Sequence, residues 1–210
     1  MKATDSPLVR VVNPTTGDGW FNLTTHDKNV GDTFLVDVTV DNVTNLSSWQ
    51  VALTWNMSLL EYVSGVMILF YDSLVPELRP PPYFTNETLY AGGSAGPGPS
   101  FNGSAVMVEL VLRVLGIGQC NLTLESDTFL LDDHALSMPF TPLNASYRYY
   151  VSPDVNDDGT VNMKEVALAV TAFNSFPGKP NWNPYCDLNS DGRVNIRDIM
   201  IIVLNFNKHE

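Results

Sequence analysis

The 210-residue sequence lacks long hydrophobic runs: its longest apolar stretches, VMILFY and IMIIVL, have six residues each. A helix needs about 20 apolar residues to span a bilayer, so we expect no membrane-spanning helix. Basic residues are also scarce, since 11 Lys and Arg stand against 23 Asp and Glu and give a net charge of −12. Phosphate backbones and anionic lipid surfaces repel such a chain, which argues against nucleic acid and acidic membranes as partners.

Histidine is rare as well, because the sequence contains only His26, His134 and His209, which form no spaced cluster. The sequence has no G-x-S-x-G, H-E-x-x-H or phosphate-binding loop. No pair of carboxylates is singled out for glycoside hydrolysis. We therefore expect a protein that is not an enzyme.

The two cysteines, Cys120 and Cys186, lie far apart. Two cysteines are weak evidence for a disulfide, so a bridge and two separate thiols both stay open. The first residues, MKATDSPLVR, lack the apolar core of a signal peptide, which by itself favours the cytosol. The glycosylation pattern described below favours export instead. We expect an extracellular or cell-surface protein whose signal peptide is absent from this sequence.

Residues 1–151 have the pattern of β-strands. In TFLVDVTVD, Phe34, Val36, Val38 and Val40 fall on one face and Asp37 on the other. SWQVALTW places Trp49 and Trp55 inward. Several short strands separated by Gly, Pro and Asn turns indicate an antiparallel β-sandwich.

Two further segments of this β-region carry specific expectations. SAVMVELVLRVL places Val106 and Val108 on the inward face, and QCNLTLE places Asn121 outward. The stretch PELRPPPYFTNETLYAGGSAGPGPSFNGS contains too much Pro and Gly for regular strands throughout. We expect it to form long loops around one short strand, ETLYA.

Residues 152–210 are predicted to form a second, helical domain. EVALAVTAFN and DIMIIVLNFN carry helical apolar patterns, and the proline-containing connector SFPGKPNWNPYC separates them. In the second helix we expect Ile199, Val203 and Phe206 to face the core, which leaves Met200, Ile201 and Leu204 on other faces. A domain this small is marginally stable by itself.

Asparagine usage divides the two regions independently. Eight of the ten Asn residues among residues 1–150 lie in N-x-S/T sequons, against none of the nine among residues 151–210. Sequons mark glycan acceptors on exported proteins, although a Ser- and Thr-rich β-protein also forms them by accident. The predicted acceptors are Asn22, Asn42, Asn45, Asn56, Asn86, Asn102, Asn121 and Asn144.

One polar phrase occurs twice, as DVNDDGTVNMKE from residue 154 and as DLNSDGRVNIRD from residue 187. Each copy fits a twelve-position EF-hand calcium loop, with oxygen ligands at positions 1, 3, 5, 7, 9 and 12 and Gly at position 6. The residue at position 7 contributes its backbone carbonyl, and position 9 often acts through water. The predicted ligands of two Ca²⁺ ions are Asp154, Asn156, Asp158, Thr160, Asn162 and Glu165 in the first loop, and Asp187, Asn189, Asp191, Arg193, Asn195 and Asp198 in the second.

The alternative is a pair of Asx-rich turns that cap helices, which matching positions in both copies disfavour. Asp198 is one methylene shorter than Glu165, so the second loop is expected to differ in affinity. Val161 and Val194, at position 8 of each loop, are predicted to point inward and to pair the two loops.

The paired D-x-N-x-D-G-x-V-N-x-x-[D/E] pattern, with a helix after each loop and none before the first, resembles a type I dockerin over residues 153–207. The region before it resembles a cohesin through GDTFLVDVTVDNVTNLSSWQVALTWNMSLLEYVSG and GIGQCNLTLE. The resemblance implies a mainly β protein: a jelly-roll β-sandwich, related in shape to carbohydrate-binding modules, followed by a dockerin with paired calcium loops. The long loop over residues 75–100 departs from a compact cohesin.

The resemblance also implies a function. In dockerins, loop positions 10 and 11 contact the cohesin; here they are Met163 and Lys164, then Ile196 and Arg197. With Met200 and Leu204 these residues form the predicted partner surface. The expected function is calcium-dependent cohesin–dockerin adhesion, with a partner domain on the same or another protein and head-to-tail self-assembly as one form. The alternative is a carbohydrate-binding module that a dockerin attaches to polysaccharide-degrading complexes, with cell-surface polysaccharide as its ligand.

Overall fold

The computed structural model describes residues 6–25, 27–68, 82–94 and 100–208. These residues form eleven strands: β1 (Leu8–Val12), β2 (Trp20–Thr24), β3 (Thr33–Thr54), β4 (Leu60–Met67), β5 (Tyr83–Thr85), β6 (Thr88–Ser94), β7 (Phe101–Val114), β8 (Gly118–Leu124), β9 (Phe129–Asp132), β10 (Thr141–Leu143) and β11 (Ala145–Tyr150). Two α-helices follow, α1 (Met163–Thr171) and α2 (Ile196–Leu204), with a 3-10 helix at Pro184–Cys186 between them.

The long strand β3 bends and serves two sheets. Its register shifts around Val43, next to Asn42 and Asn45, whose φ angles are 57° and 68°. Bulges of this kind bend a strand, and Asn tolerates the left-handed conformation better than most residues. As a result, the first half of β3 pairs with β1 and β7, and the second half pairs with β6, β8 and β9.

The strand order is that of a jelly-roll sandwich, as predicted. One sheet runs β10–β1–β3–β7–β4, with β1 and β10 parallel. The other runs β5–β6–β3–β8–β11–β2, with β9 also paired to β3. Four residues of the predicted strand ETLYA are confirmed in β6, but residues 83–85, which were predicted to be loop, form β5 and pair with β6. Much of the rest of the predicted loop lies outside the described residues.

The sandwich core follows the predicted alternation with one exception. Trp49 and Trp55 are buried, and the Trp55 indole N–H donates to the Leu60 carbonyl oxygen at 3.0 Å. A one-residue register shift in the β3–β7 pairing turns Met107 inward, where it is fully buried, while Val106 is only partly buried. The prediction for Val106 was therefore wrong, because strict alternation does not anticipate a bulge.

The outer side of β1, β3, β7 and β4 is rich in carboxylates and is called the acidic face: Asp37, Asp41, Glu61 and Glu109. Asp37 lies on the predicted side of β3 but is 9% exposed, directly opposite Glu109 on β7. Among the described residues, Asp37 Oδ1 has no hydrogen-bond partner. Burial, together with the charge of Glu109, raises the pKa of Asp37.

The two arginines of this face are engaged with other acids. Arg10 lies 3.1 Å from Asp41, and Arg113 lies 2.6 Å from Glu61. Among the described residues, the central pair of acids, Asp37 and Glu109, therefore has no cationic partner.

Residues 23–29 and 149–210 group as a second compact unit, whereas residues 1–22 and 30–148 form the first. The core of the second unit contains Val151, Val161, Ala169, Ala172, Cys186, Leu188, Val194 and Ile202. Both cysteines are free thiols, and burial raises the pKa of the Cys186 thiol to about 11. The boundary at residue 151 stays a prediction.

The inward face of α2 differs from the predicted one. Ile202 is fully buried and Ile199 and Ile201 pack against the core, whereas Val203 is 55% exposed. The predictions that Val203 faces the core and that Ile201 does not were wrong, because the apolar run over residues 199–204 contains no polar residue to mark the outer side of the helix. No helix in the described part of the chain is both long and apolar enough for a membrane span.

Replacing Asp37 with Asn is predicted to raise the melting temperature of the β-sandwich at pH 7 by about 2 °C, because it removes a like-charge pair of opposed residues. The raised pKa means that Asp37 costs stability once pH rises through its folded pKa, so the gain should vanish in acid. Calorimetry at a series of pH values, from roughly 3, which is below the usual pKa of Asp, to roughly 7, measures the melting temperatures of the wild type and of Asp37→Asn.

Asp41→Asn is the matched control, since it breaks the Arg10 ion pair and should not stabilise the fold. A melting temperature that falls in Asp37→Asn at pH 7 contradicts this account of Asp37.

Candidate metal centre

The first acidic loop is folded around Asp154. Its carboxylate accepts hydrogen bonds from the backbone N–H of Asp158 at 3.3 Å and of Gly159 at 2.7 Å. Gly159 has φ +82°, a conformation that L side chains rarely adopt, which explains glycine at position 6. Asp154 is 1% exposed, so the loop closes over a buried carboxylate.

Glu165 completes this loop from the first turn of α1. Its Oε2 accepts the Asn162 backbone N–H at 2.5 Å, which makes Glu165 part of a capping box. Its other oxygen, Oε1, is buried without a hydrogen-bond partner in the described structure, and the residue is 0% exposed. A buried carboxylate oxygen without a partner is costly, and a cation would remove that cost.

Asp154, Asp158 and Glu165 each offer a carboxylate oxygen within 4.8 Å of the others. Hard oxygen ligands at this density suit Ca²⁺. Lys164 Nζ lies 2.6 Å from Asp158 Oδ2, and this hydrogen bond lowers the pKa of Asp158. The residues present therefore fit a divalent cation, with Lys164 as a competitor for one ligand oxygen.

The remaining predicted ligands of this loop have structural partners. Asn156 Oδ1 accepts the Asp158 N–H at 2.9 Å. The Asn162 side chain caps α1, since its Oδ1 accepts the Lys164 N–H at 3.0 Å and its Nδ2 donates to the Thr160 carbonyl at 2.9 Å. The ligand roles of Asn156, Thr160 and Asn162 stay predictions.

The second loop repeats these contacts. The Asp187 carboxylate accepts the N–H groups of Asp191 at 3.1 Å and Gly192 at 2.9 Å, and Gly192 has φ +80°. Asn195 caps α2, and its Nδ2 donates to the Arg193 carbonyl at 3.4 Å. Burial raises the pKa of Asp187, so this site also holds a desolvated carboxylate.

The two loops differ at position 12. Asp198 is 0% exposed like Glu165, but backbone N–H groups already contact both of its oxygens. Asn189 N–H donates to Oδ1 at 3.2 Å and Asn195 N–H donates to Oδ2 at 2.8 Å. The second loop therefore lacks the unsatisfied oxygen of the first, which supports the expectation of unequal sites.

Val161 and Val194 point inward as predicted, and both are fully buried. Their backbones do not pair with each other. Val161 exchanges hydrogen bonds with Asn207 and Lys208 after α2, at 2.8 and 3.0 Å. Val194 exchanges them with residues 174 and 175 after α1, at 2.8 and 3.1 Å. The predicted direct pairing of the loops was wrong: each loop pairs with the chain that follows the other loop's helix.

The six predicted partner residues are all exposed beside the loops. The exposed fractions are 65% for Met163, 58% for Ile196, 55% for Met200 and 75% for Leu204. The side chains of Lys164 and Arg197 are 69% and 76% exposed. Val203, also exposed, belongs to the same surface and was missed because it was assigned to the core.

The predicted glycan acceptors lie at the surface of the sandwich. Seven are exposed, and Asn45 is partly buried with its Nδ2 donating to Asp133 at 2.6 Å. Asn42, Asn45 and Asn86 have positive φ angles. Asn adopts this conformation more readily than most residues, so the backbone itself favours Asn at three of the sequons. Their glycosylation stays a prediction.

A second acidic cluster, Asp132, Asp133 and His134, follows β9 and was not singled out from the sequence. Asp132 Oδ1 accepts two backbone N–H groups, from His134 and Leu136, and His134 lies 2.7 Å from Asp133. These contacts are typical of a turn, and they explain why the three side chains lie close together. His26 and His209 lie outside the described residues.

Residues 152–207 match the family model of the dockerin type I domain. The structure is similar to a non-cellulosomal cohesin from the archaeon Archaeoglobus fulgidus, with TM-score 0.53 and 16% identity over 71% of this chain and 94% of that one. It is also similar to a chain of a type I cohesin–dockerin complex from Clostridium thermocellum, with TM-score 0.53 and 13% identity over 69% and 99%. A type I cohesin from Pseudobacteroides cellulosolvens gives TM-score 0.51 and 13% identity over 70% and 94%. No curated protein matches the sequence.

The first loop, with its unsatisfied Glu165 oxygen, is expected to be the tighter calcium site. Glu165→Gln is predicted to weaken this site about tenfold or more, because it removes the charge of that buried oxygen. Asp198→Asn, the matched change in the second loop, should leave the tighter site in place. Calorimetric titration of the full chain with Ca²⁺ compares the two variants. Retention of the tighter site in Glu165→Gln and its loss in Asp198→Asn contradicts the assignment.

Proposed function

We propose that this chain, a domain of cohesin fold followed by a type I dockerin domain, is a non-catalytic module for calcium-dependent protein–protein docking outside the cell. The boundary between its domains lies near residue 151. The observation that carries the proposal is the repeated placement of an exposed apolar residue and an exposed base directly before the last ligand of each acidic loop. The two pairs are Met163 with Lys164 and Ile196 with Arg197.

Two Ca²⁺ ions organise the docking surface in this proposal. Dockerin domains generally bind calcium, and the ligands are those predicted for the two loops, with Thr160 and Arg193 acting through their carbonyls. The unsatisfied oxygen of Glu165 supports an ion in the first loop. Glu165 and Asp198 also belong to the capping boxes of α1 and α2, so ligand binding and helix start share the same residues.

The partner surface comprises Met163, Lys164, Ile196, Arg197, Met200, Val203 and Leu204. Exposed apolar side chains beside exposed bases suit a partner face that combines apolar groups with carboxylates. The acidic face has this composition: Leu35, 43% exposed, lies on β3 with Asp37, and Val66, 62% exposed, lies on β4 directly opposite Glu109. Lys164 or Arg197 of a second copy would supply the missing cation.

We infer from this complementarity that the chain self-associates head to tail. A surface on one domain that binds a different surface on the next copy makes a heterologous contact, which extends as a filament or closes as a ring. A cohesin of another protein is the other partner that this docking surface fits. In this role the sandwich carries N-linked glycans and the protein lies at the cell surface.

Calcium removal is predicted to unfold the helical unit and to leave the β-sandwich folded, because each loop holds three carboxylates that repel one another without a cation. Circular dichroism of the full chain in Ca²⁺ and in EGTA measures the loss of helix, and near-ultraviolet signals from Trp49 and Trp55 report the sandwich. Unchanged helix content in EGTA contradicts the proposal.

Self-association is tested by sedimentation velocity of the full chain over a range of concentrations. We expect association in Ca²⁺, its loss in EGTA, and weaker association of Asp37→Asn/Glu109→Gln because the paired acids no longer attract the base. Asp41→Asn is the matched control on the same face, since Asp41 already has Arg10 as its partner.

A charge exchange locates the contact. Glu109→Lys should not associate with itself, but it should associate with a Lys164→Glu/Arg197→Glu chain. Association of Asp37→Asn/Glu109→Gln at wild-type strength would exclude the acidic face. A monomer in both Ca²⁺ and EGTA would exclude self-association and leave a foreign partner.

A further inference from the structure

An open cleft of about 680 Å³ lies on the outer side of the sheet formed by β8, β11 and β2. Its position differs from both the calcium loops and the acidic face. The residues that line it are Trp20 and Asn22 from β2, Gln119, Cys120 and Asn121 from β8, and Ser146, Tyr147 and Arg148 from β11.

Trp20 supplies a large aromatic surface to this cleft. It is 59% exposed, although Trp49 and Trp55 are buried in the same domain. Its backbone is held on both sides, since its N–H donates to Asp18 at 3.0 Å and its carbonyl accepts from Asn13 at 3.2 Å. An exposed indole beside polar groups in a concave site is suited to stacking on a ligand with an apolar face and polar edges.

The polar lining is suited to hydroxyl groups. Gln119, Asn22 and Asn121 are exposed amides, and Ser146 Oγ donates to Asn121 Oδ1 at 3.2 Å. Amides and hydroxyls both donate and accept, as a sugar with several hydroxyls requires. Among the described lining residues there is no carboxylate, so the paired acids of a glycosidase are missing from this cleft.

Arg148 is the single charged residue of the described lining, in a chain whose net charge is −12. A guanidinium recognises a carboxylate through two parallel hydrogen bonds. The charge therefore favours an acidic ligand over a neutral one.

We propose that this cleft binds an acidic glycan: a short segment of a uronic-acid-containing polysaccharide. One sugar ring stacks on Trp20, its carboxylate pairs with Arg148, and neighbouring hydroxyls contact Gln119 and Ser146. This binding activity is independent of calcium docking, and it would hold the sandwich on an acidic polysaccharide while the dockerin domain engages its partner.

The same chemistry has a second source, because Asn22 and Asn121 lie in sequons. The hydroxyl residue of the first sequon, Thr24, is 8% exposed and its Oγ1 donates to Asp27 at 2.9 Å. A glycan attached at Asn22 or Asn121 would compete with an external polysaccharide for the cleft, so the proposal concerns the chain without N-glycans at these two residues.

Calorimetric titration tests the proposal with full-length protein from a host that does not attach N-glycans. The probes are a trimer of galacturonic acid and, as the neutral comparison, cellotriose. We expect the acidic trimer to bind about tenfold more tightly than the neutral one, because a charge-assisted pair with Arg148 is lost in cellotriose. Trp20→Ala should weaken binding about tenfold, and Arg148→Gln should abolish the preference for the acid.

Tyr83→Ala is the matched control, since Tyr83 is 49% exposed on β5, outside the cleft lining. Protein that carries a glycan at Asn22 or Asn121 should bind less, because the attached sugar competes. Absence of binding to either trimer at millimolar concentration, equal binding of both trimers, or wild-type affinity in Trp20→Ala overturns the proposal. Each result is independent of EGTA, so it is distinguishable from a failure of calcium docking.

Discussion

The helical domain depends on a crossed pair of backbone contacts. Val161 in the first loop is hydrogen-bonded to the chain after α2, and Val194 in the second loop is hydrogen-bonded to the chain after α1. Each loop thus makes two of its backbone hydrogen bonds with the chain that follows the other loop's helix. The two buried valines belong to one core, which reinforces the same dependence. The loops are therefore two halves of one folding unit, and their cations should stabilise it jointly.

This dependence connects ion binding to docking. Glu165 and Asp198 are predicted ligands and also capping residues, so a cation in the loop stabilises the first turn of the helix that follows. Met163 and Ile196 are the first residues of those helices, and Lys164 and Arg197 come next. These four residues of the proposed docking surface thus occupy the first turn of each helix, the part that a cation would order most directly. In the first loop, Lys164 contacts Asp158, so the proposed ion and the proposed partner would both act on the same lysine.

The spacing of oxygen ligands, glycine and helix made the candidate metal centre predictable, because an EF-hand loop is a local structure whose roles follow sequence position. The sandwich was predictable for a related reason: alternation is read within one strand. What escaped prediction depends on partners distant in sequence. The bulge at Met107 is set by pairing with β3, the burial of Asp37 by its neighbours on β1 and β7, and the crossed pairing of Val161 and Val194 by the way two repeats pack. The cleft around Trp20 and Arg148 is assembled from three strands, so it cannot be predicted from any single segment of the sequence.

The central claim is that the two loops fold as one unit. Hydrogen exchange of the Val161 and Val194 backbone amides, followed by NMR while Ca²⁺ is added in steps below one equivalent, tests it most directly. The account predicts that both amides become protected together as the first ion binds, since each donates to the chain after the other loop's helix. Protection of Val161 alone at the first equivalent, with Val194 still exchanging at its calcium-free rate, would contradict it.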